Sequence, residues 1–184
     1  SSSNDTWAFD VTTKKWIKKL ASGSAGSPPP LSQLLNGFIY DPINDVFVLH
    51  GGRCMDNAPK CANGYYRPNP DTWVYRYSTN TWTKMNPAGG PGPREQQVMY
   101  YDPVNRGIVL FGGRTLDGTL KNDLWFYDYP SNTWTDITPA TSPSARVLAA
   151  ATYDPKAGLG VMFSGNSPTG YTMSDVWALK IVGP

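Results

Sequence analysis

A chain of 184 residues with a formal net charge of +2 is long enough for one sizeable core and too weakly basic for a nucleic-acid footprint. With 40% apolar and 16% charged residues, 18 Gly, 17 Pro and a single Glu, Glu95, the composition favours many short strands joined by turns and excludes a helix-rich protein. No apolar run approaches the ~18 residues of a bilayer span, and no signal peptide opens the sequence, which starts in mid-pattern.

The pattern begins with Trp7, Phe9 and Trp16, so residues 1–20 read as the outer half of a repeat unit. Lys14, Lys15, Lys18 and Lys19 surround Trp16 and Ile17 like the solvated face of a strand. Asn4-Asp5-Thr6 is an N-glycosylation sequon, which makes Asn4 a candidate glycan site.

Residues 31–84 form the first full unit. Tyr40-Asp41-Pro42 leads to the apolar run Val46-Phe47-Val48-Leu49 and the pair Gly51-Gly52. Trp73, Tyr75 and Trp82 follow. Between the Gly pair and Trp73 lies an insertion holding Cys54 and Cys61 in polar, Pro-containing sequence. Two ligands are too few for zinc, so a local disulfide is the expectation, which points to an oxidising, extracellular or secretory compartment. Tyr65 and Tyr66 in the same insertion offer flat aromatic surface to a protein or sugar partner.

Residues 93–137 repeat the scheme with Tyr101-Asp102-Pro103, Gly112-Gly113, Trp125, Tyr127 and Trp134. Residues 145–184 give a partial copy with Tyr153-Asp154-Pro155, Ser164-Gly165 and Trp177. The interval between first tryptophans is 66 across the cysteine insertion and 52 in each later copy. Each unit reads as four strands, a to d. Asp-Pro-x-Asn makes the a–b turn: Pro presets φ while Asp and Asn bond the local backbone. The apolar, partly β-branched runs suit buried strands.

These anchors resemble the kelch repeat: a Gly pair after strand b, then spaced aromatics, at a period near 50 residues. The resemblance implies an all-β fold of kelch-type β-propeller blades, about three and a half four-stranded repeats. The strand count of c–d, a–d, a–d and a–c raises the expectation of a segment of a larger propeller, of a chain that needs another chain, or of one closed by its N-terminal strands against its C-terminal ones.

The same resemblance brings in galactose-oxidase-type copper enzymes. Their chemistry needs paired imidazoles, and this chain has one histidine, His50, aligned with Phe111 and Phe163 and read as a packed strand residue. The iron constellation of plant-type kelch proteins also lacks a match. The expectation is therefore no catalytic residue, no metal and no cofactor. The first function reading is a non-catalytic module that binds a protein partner or assembly subunits, outside the cell in the sense the cysteines suggest. The alternative is a carbohydrate-binding or carbohydrate-oxidising propeller whose metal site lies outside this chain, with glycan as the partner. No nucleic-acid partner and no membrane span are expected.

Alternating strand direction puts the long b–c and d–a loops on one face, where binding concentrates on rigid scaffolds. Arg94 and Arg146 sit seven residues before their Tyr-Asp-Pro tyrosines, with Gln33 in the equivalent place, and Arg53 and Arg114 directly follow the Gly pairs. Two readings stay open. The arginines ring one opening and meet carboxylates or other acceptors, or each pairs with a neighbouring Asp and braces the blades.

Overall fold

The computed structural model describes residues 4–24, 35–53 and 68–182. They form four antiparallel sheets that follow the repeat units. A hairpin comes first, β1 (Thr6–Asp10) with β2 (Lys15–Leu20). The first full blade runs in the order β3 (Gly37–Asp41), β4 (Val46–His50), β5 (Thr72–Arg76), β6 (Thr81–Met85). After the short β7 (Arg94–Glu95), the second blade holds β8 (Val98–Asp102), β9 (Gly107–Phe111), β11 (Leu124–Asp128) and β12 (Thr133–Asp136). The short β10 (Arg114–Thr115) pairs with β7 outside that sheet. The third blade is β13 (Ala150–Asp154), β14 (Leu159–Phe163) and β15 (Val176–Leu179). Strand a of each unit is innermost, and β8 lies between β3 and β13.

Strand alternation gives every blade two apolar faces. Val46, Val48 and Val74 of the first blade pack against Met99, Ile108, Leu110, Tyr127 and Trp134 of the second. The opposite face of the second blade, with Tyr100, Val109, Phe111 and Leu124, packs against Met162 and Trp177 of the third. Each fully buried Val, Leu or Ile contributes about 1.5–3 kcal/mol, so these two joints hold most of the core.

The turns are built as the sequence predicts. The Asp41 carboxylate accepts the N–H groups of Ile43 and Asn44 at 3.0 and 3.2 Å. Asp102 and Asp154 cap their own turns in the same way. At the c–d turns, Asn80 and Asn132 adopt left-handed φ of 54° and 51°. Each accepts a 2.9 Å hydrogen bond from a strand tyrosine, Tyr75 and Tyr127 respectively.

A second device joins blade to blade. Trp82 donates its indole N–H to Thr6 Oγ1 at 3.0 Å, and Trp134 donates to Thr72 Oγ1 at 3.1 Å. Thr6 and Thr72 occupy the same repeat position at the start of strand c. The hairpin therefore stands where the outer half of a preceding blade would stand. Asn80 reinforces this by donating to the Lys19 carbonyl at 2.9 Å. Of the three arrangements that the strand count leaves open, closure of N-terminal on C-terminal strands is not formed among the described residues. Among the described residues, β2 pairs with β1 alone and β15 with β14 alone, because the hairpin is held by the first blade.

The Gly pairs carry the sharpest backbone constraint. Gly51, Gly112 and Ser164 share φ of 69°, 66° and 64°. A Cβ on Gly112 would stand 2.7 Å from the Arg146 carbonyl oxygen, whereas one on Gly158, φ 69°, would meet nothing within 4 Å. Gly112→Ala is therefore expected to lose about 2 kcal/mol or more, and Gly158→Ala only about 1 kcal/mol, the left-handed penalty alone. Urea titration of both variants measures the difference.

Candidate functional site

Arg94 and Arg146 lie where the chain enters the second and third blades. Each carbonyl accepts the N–H of the second Gly of the preceding pair, Gly52 to Arg94 at 2.9 Å and Gly113 to Arg146 at 3.0 Å. Each side chain runs into its own blade. Arg94 forms a two-pronged pair with Asp123 at 2.8 and 2.9 Å and donates to the Gly112 carbonyl at 2.8 Å. Arg146 repeats this with Asp175 at 2.6 and 2.8 Å and with the Ser164 carbonyl at 3.0 Å. The same aspartates accept the indole N–H of Trp125 and Trp177. Both guanidiniums are 1% exposed. The reading of Arg94 and Arg146 as ligand-facing groups is thus corrected. Their donors are used inside the fold, where each arginine ties one blade to the next.

The first blade departs from this scheme. Its equivalent aspartate, Asp71, pairs instead with Lys84 at 2.9 Å. The Trp73 indole N–H is buried with no partner among the described residues. Gln33, which takes the arginine position in the sequence, lies outside the described residues, as do Cys54, Cys61, Tyr65 and Tyr66.

Arg53 and Arg114 behave differently, and what gathers them is a residue that sequence reasoning left without a role. Glu95 on β7 pairs backbone to backbone with Arg114 on β10. Its carboxylate, 1% exposed, receives Arg114 at 3.0 and 2.6 Å from the second blade. It also receives Arg53 from the first blade, through Nε at 2.5 Å and through Nη2. Arg53 and Arg114 are 25% and 37% exposed, so the cluster shows cationic edges on the loop face above a buried anion, with a net charge of +1. Burial pushes the Glu95 carboxyl up, but the two guanidiniums outweigh it and hold the group below its ordinary range. Beside Arg114 lies an open depression of about 480 Å³ lined by Pro93, Thr115, Leu116, Asp117 and Lys121. The available signal was position: the chain's only Glu stands where the third unit has Val147.

His50 closes β4, buried, with Nδ1 3.0 Å from Thr72 Oγ1 and its ring 5.1 Å from that of Trp134. Burial, helped by the Arg94 charge, pushes its pKa down to about 3, so it is neutral at physiological pH. Among the described residues no group of three or more His, Cys, Asp or Glu converges as a metal site would. Among the described residues no helix is long and apolar enough to cross a membrane. Asn4 is 7% exposed, and its carboxamide oxygen accepts from Ser22 Oγ and from the Gly23 N–H. In the folded chain this candidate glycan residue is engaged with the turn after β2.

Comparison with known proteins agrees with this geometry. The KLHDC2/KLHL20/DRC7 Kelch-repeats domain model matches residues 42–183. Dynein regulatory complex subunit 7 of Chlamydomonas reinhardtii is 40% identical over 78 residues, 42% of this chain and 7% of that protein. Multiple epidermal growth factor-like domains protein 8 of Mus musculus is 23% identical over 139 residues, 76% of this chain and 5% of that protein. The chain thus spans less than a tenth of these relatives' length. Among solved structures, that of YjhT superposes with a TM-score of 0.75 at 14% identity, covering 97% of this chain and 57% of that one.

Two outcomes follow from the charges. Arg94→Ala leaves Asp123 and the Gly112 and Pro91 carbonyls without their arginine donor in a closed site, and is expected to cost about 3–5 kcal/mol in chemical unfolding. Glu95, with its folded pKa lowered, contributes stability that is present above its ordinary value of 4.5 and lost as pH falls through the folded value. Unfolding midpoints measured across this acid window should fall less steeply for Glu95→Gln than for the unaltered protein.

Proposed function

The chain belongs to the KLHDC2/KLHL20/DRC7 kelch-repeat domain family, and from that membership we propose that it is a non-catalytic recognition module whose loop face binds an acidic segment of a protein partner. Kelch-repeat domains serve in protein–protein interaction. The observation that carries the finer reading is the Arg53–Glu95–Arg114 cluster. One buried carboxylate pins two partly exposed guanidiniums from adjacent blades, leaving their outer edges on the face that bears the long loops. Planar cations held in this way match carboxylates without paying for side-chain ordering at the moment of binding.

The assembly reading gains support from a relative named as a subunit of a larger complex. The non-catalytic reading rests on the state of His50, the chain's one imidazole, which is buried and neutral. An oxidising, extracellular setting remains part of the proposal, supported by the closely spaced Cys54 and Cys61.

Arg114→Ala tests the site, since Arg114 is the more exposed of the two cations. Titration with a glutamate-rich peptide should show affinity that drops at least tenfold in the variant and weakens with added salt, while the melting temperature falls only in part because Arg53 still pairs with Glu95. Equal affinity in both proteins, or a large fall in melting temperature with affinity retained, would leave the cluster a structural clamp.

A further inference from the structure

The joint between the first and second blades is polar where the next joint is apolar. The second blade ends strand b with Phe111 and the third with Phe163, but the first ends it with His50. The second blade opens strand c with Leu124, and the first has Thr72 there. His50 and Thr72 are each 1% exposed, and the buried Trp134 of the second blade lies against both.

These three side chains form a run of hydrogen bonds across the joint. An indole nitrogen only donates, so Trp134 Nε1 gives its hydrogen to Thr72 Oγ1 at 3.1 Å. The single hydroxyl hydrogen of Thr72 is left for His50 Nδ1, 3.0 Å away, which accepts it. The neutral ring therefore carries its hydrogen on Nε2, which is buried and makes no hydrogen bond among the described residues. The His50 carbonyl adds a second tie to the next blade, accepting from Gln97 Nε2 at 2.7 Å.

A second proton has no place in this arrangement. On Nδ1 it would meet the hydroxyl hydrogen of Thr72, and its charge would sit in a dry joint. Around the ring, β5 brings Thr72, β12 brings Trp134, β3 brings Gly37 and the segment before β8 brings Gln97, none of them a counter-ion. Asp71, next to Thr72 in the chain, is paired with Lys84. The charge that reaches the ring is that of Arg94, itself paired with Asp123. Burial and this like charge oppose the proton and outweigh the Gly92 carbonyl, which favours it. Opening the joint lets the ring take a proton at its ordinary value of 6.5. Stability of the joint is thus present above that value and is lost as pH falls from there towards the folded value of about 3.

We propose that His50 is an acid-sensitive latch: on taking up a proton it releases Trp134 and parts the first blade from the second, while the joint between the second and third blades, built on Phe111, stays closed. Arg53 follows His50 across the Gly51-Gly52 pair and reaches Glu95 of the second blade, so opening the latch also divides the loop-face cluster. This holds whatever that face binds.

The two joints contain matching backbone bonds, Gly52 N–H to the Arg94 carbonyl and Gly113 N–H to the Arg146 carbonyl, so one molecule supplies its own control. Amide exchange of both glycines, each corrected for its intrinsic rate, is measured at about pH 7.5 and about pH 5.0, a range in which ordinary carboxylates stay charged. Protection of Gly52 is expected to fall about thirtyfold relative to that of Gly113, the factor set by about 1.5 pH units below 6.5. His50→Phe, which copies the residue of the second blade, should abolish the difference. His50 is the chain's one imidazole, so its ring resonances stand alone. In the unaltered protein they should remain those of the neutral Nε2–H form across the same range. Equal change at both glycines, a ring that titrates near its ordinary value while Gly52 stays protected, or an unchanged acid response in His50→Phe overturns the proposal.

Discussion

A small twisted sheet with apolar side chains on both faces has no stable existence in water until each face meets another. The second blade is the case where both are covered. Ile108, Leu110, Tyr127 and Trp134 point to one neighbour, while Val109, Phe111 and Leu124 point to the other. Apolar contact alone is non-directional and would let blades slide. The polar joints remove that freedom. Each inter-blade arginine accepts an N–H of the preceding unit at its carbonyl and gives its side chain to a carbonyl and a carboxylate of its own unit, and each strand-d tryptophan finds a threonine hydroxyl across the joint. At Gly51 and Gly112 the left-handed residue that opens the b–c loop has to be glycine, because the next arginine carbonyl passes so close that a side chain would collide with it.

Much of this was legible in the sequence because the signals are local. Tyr-Asp-Pro, the apolar runs, the Gly pairs and the spaced tryptophans each specify a turn or strand within a dozen residues, and all recur in register. Residue spacing also held the arginine joint: Asp123 follows Arg94 by 29 positions, and Asp175 follows Arg146 by 29. Reading it required seeing that a loop aspartate folds back to the entry of its own blade, which no periodicity reveals. Which of the three arrangements the strand count allows was not legible for a related reason. Strand counting treats hairpins as interchangeable, whereas Thr6 and Lys19 commit this one to the first blade.

The candidate site was less legible, and the reason is geometric. Glu95 draws its partners from two different blades, 42 and 19 residues away, so nothing in its immediate sequence announces the cluster. In a repeat protein the shared positions carry the architecture, and function gathers where one copy breaks the rule. Glu95 does so against Val147, and the first blade does so again with Lys84 replacing arginine as the partner of its loop aspartate.

Ser164 draws a further consequence from the joint. It holds φ of 64° where its counterparts are glycines, and its hydroxyl donates to the Met173 carbonyl at 2.8 Å, so its side chain secures its own b–c loop. The parts that couple neighbours are backbone carbonyls, one arginine and one aspartate, and the second and third blades each bring their own set. Such a stretch is self-contained in inheritance: duplicating or deleting it leaves matching surfaces on either side. The lineage of this fold is thereby free to vary the number of its units while the individual loops diverge.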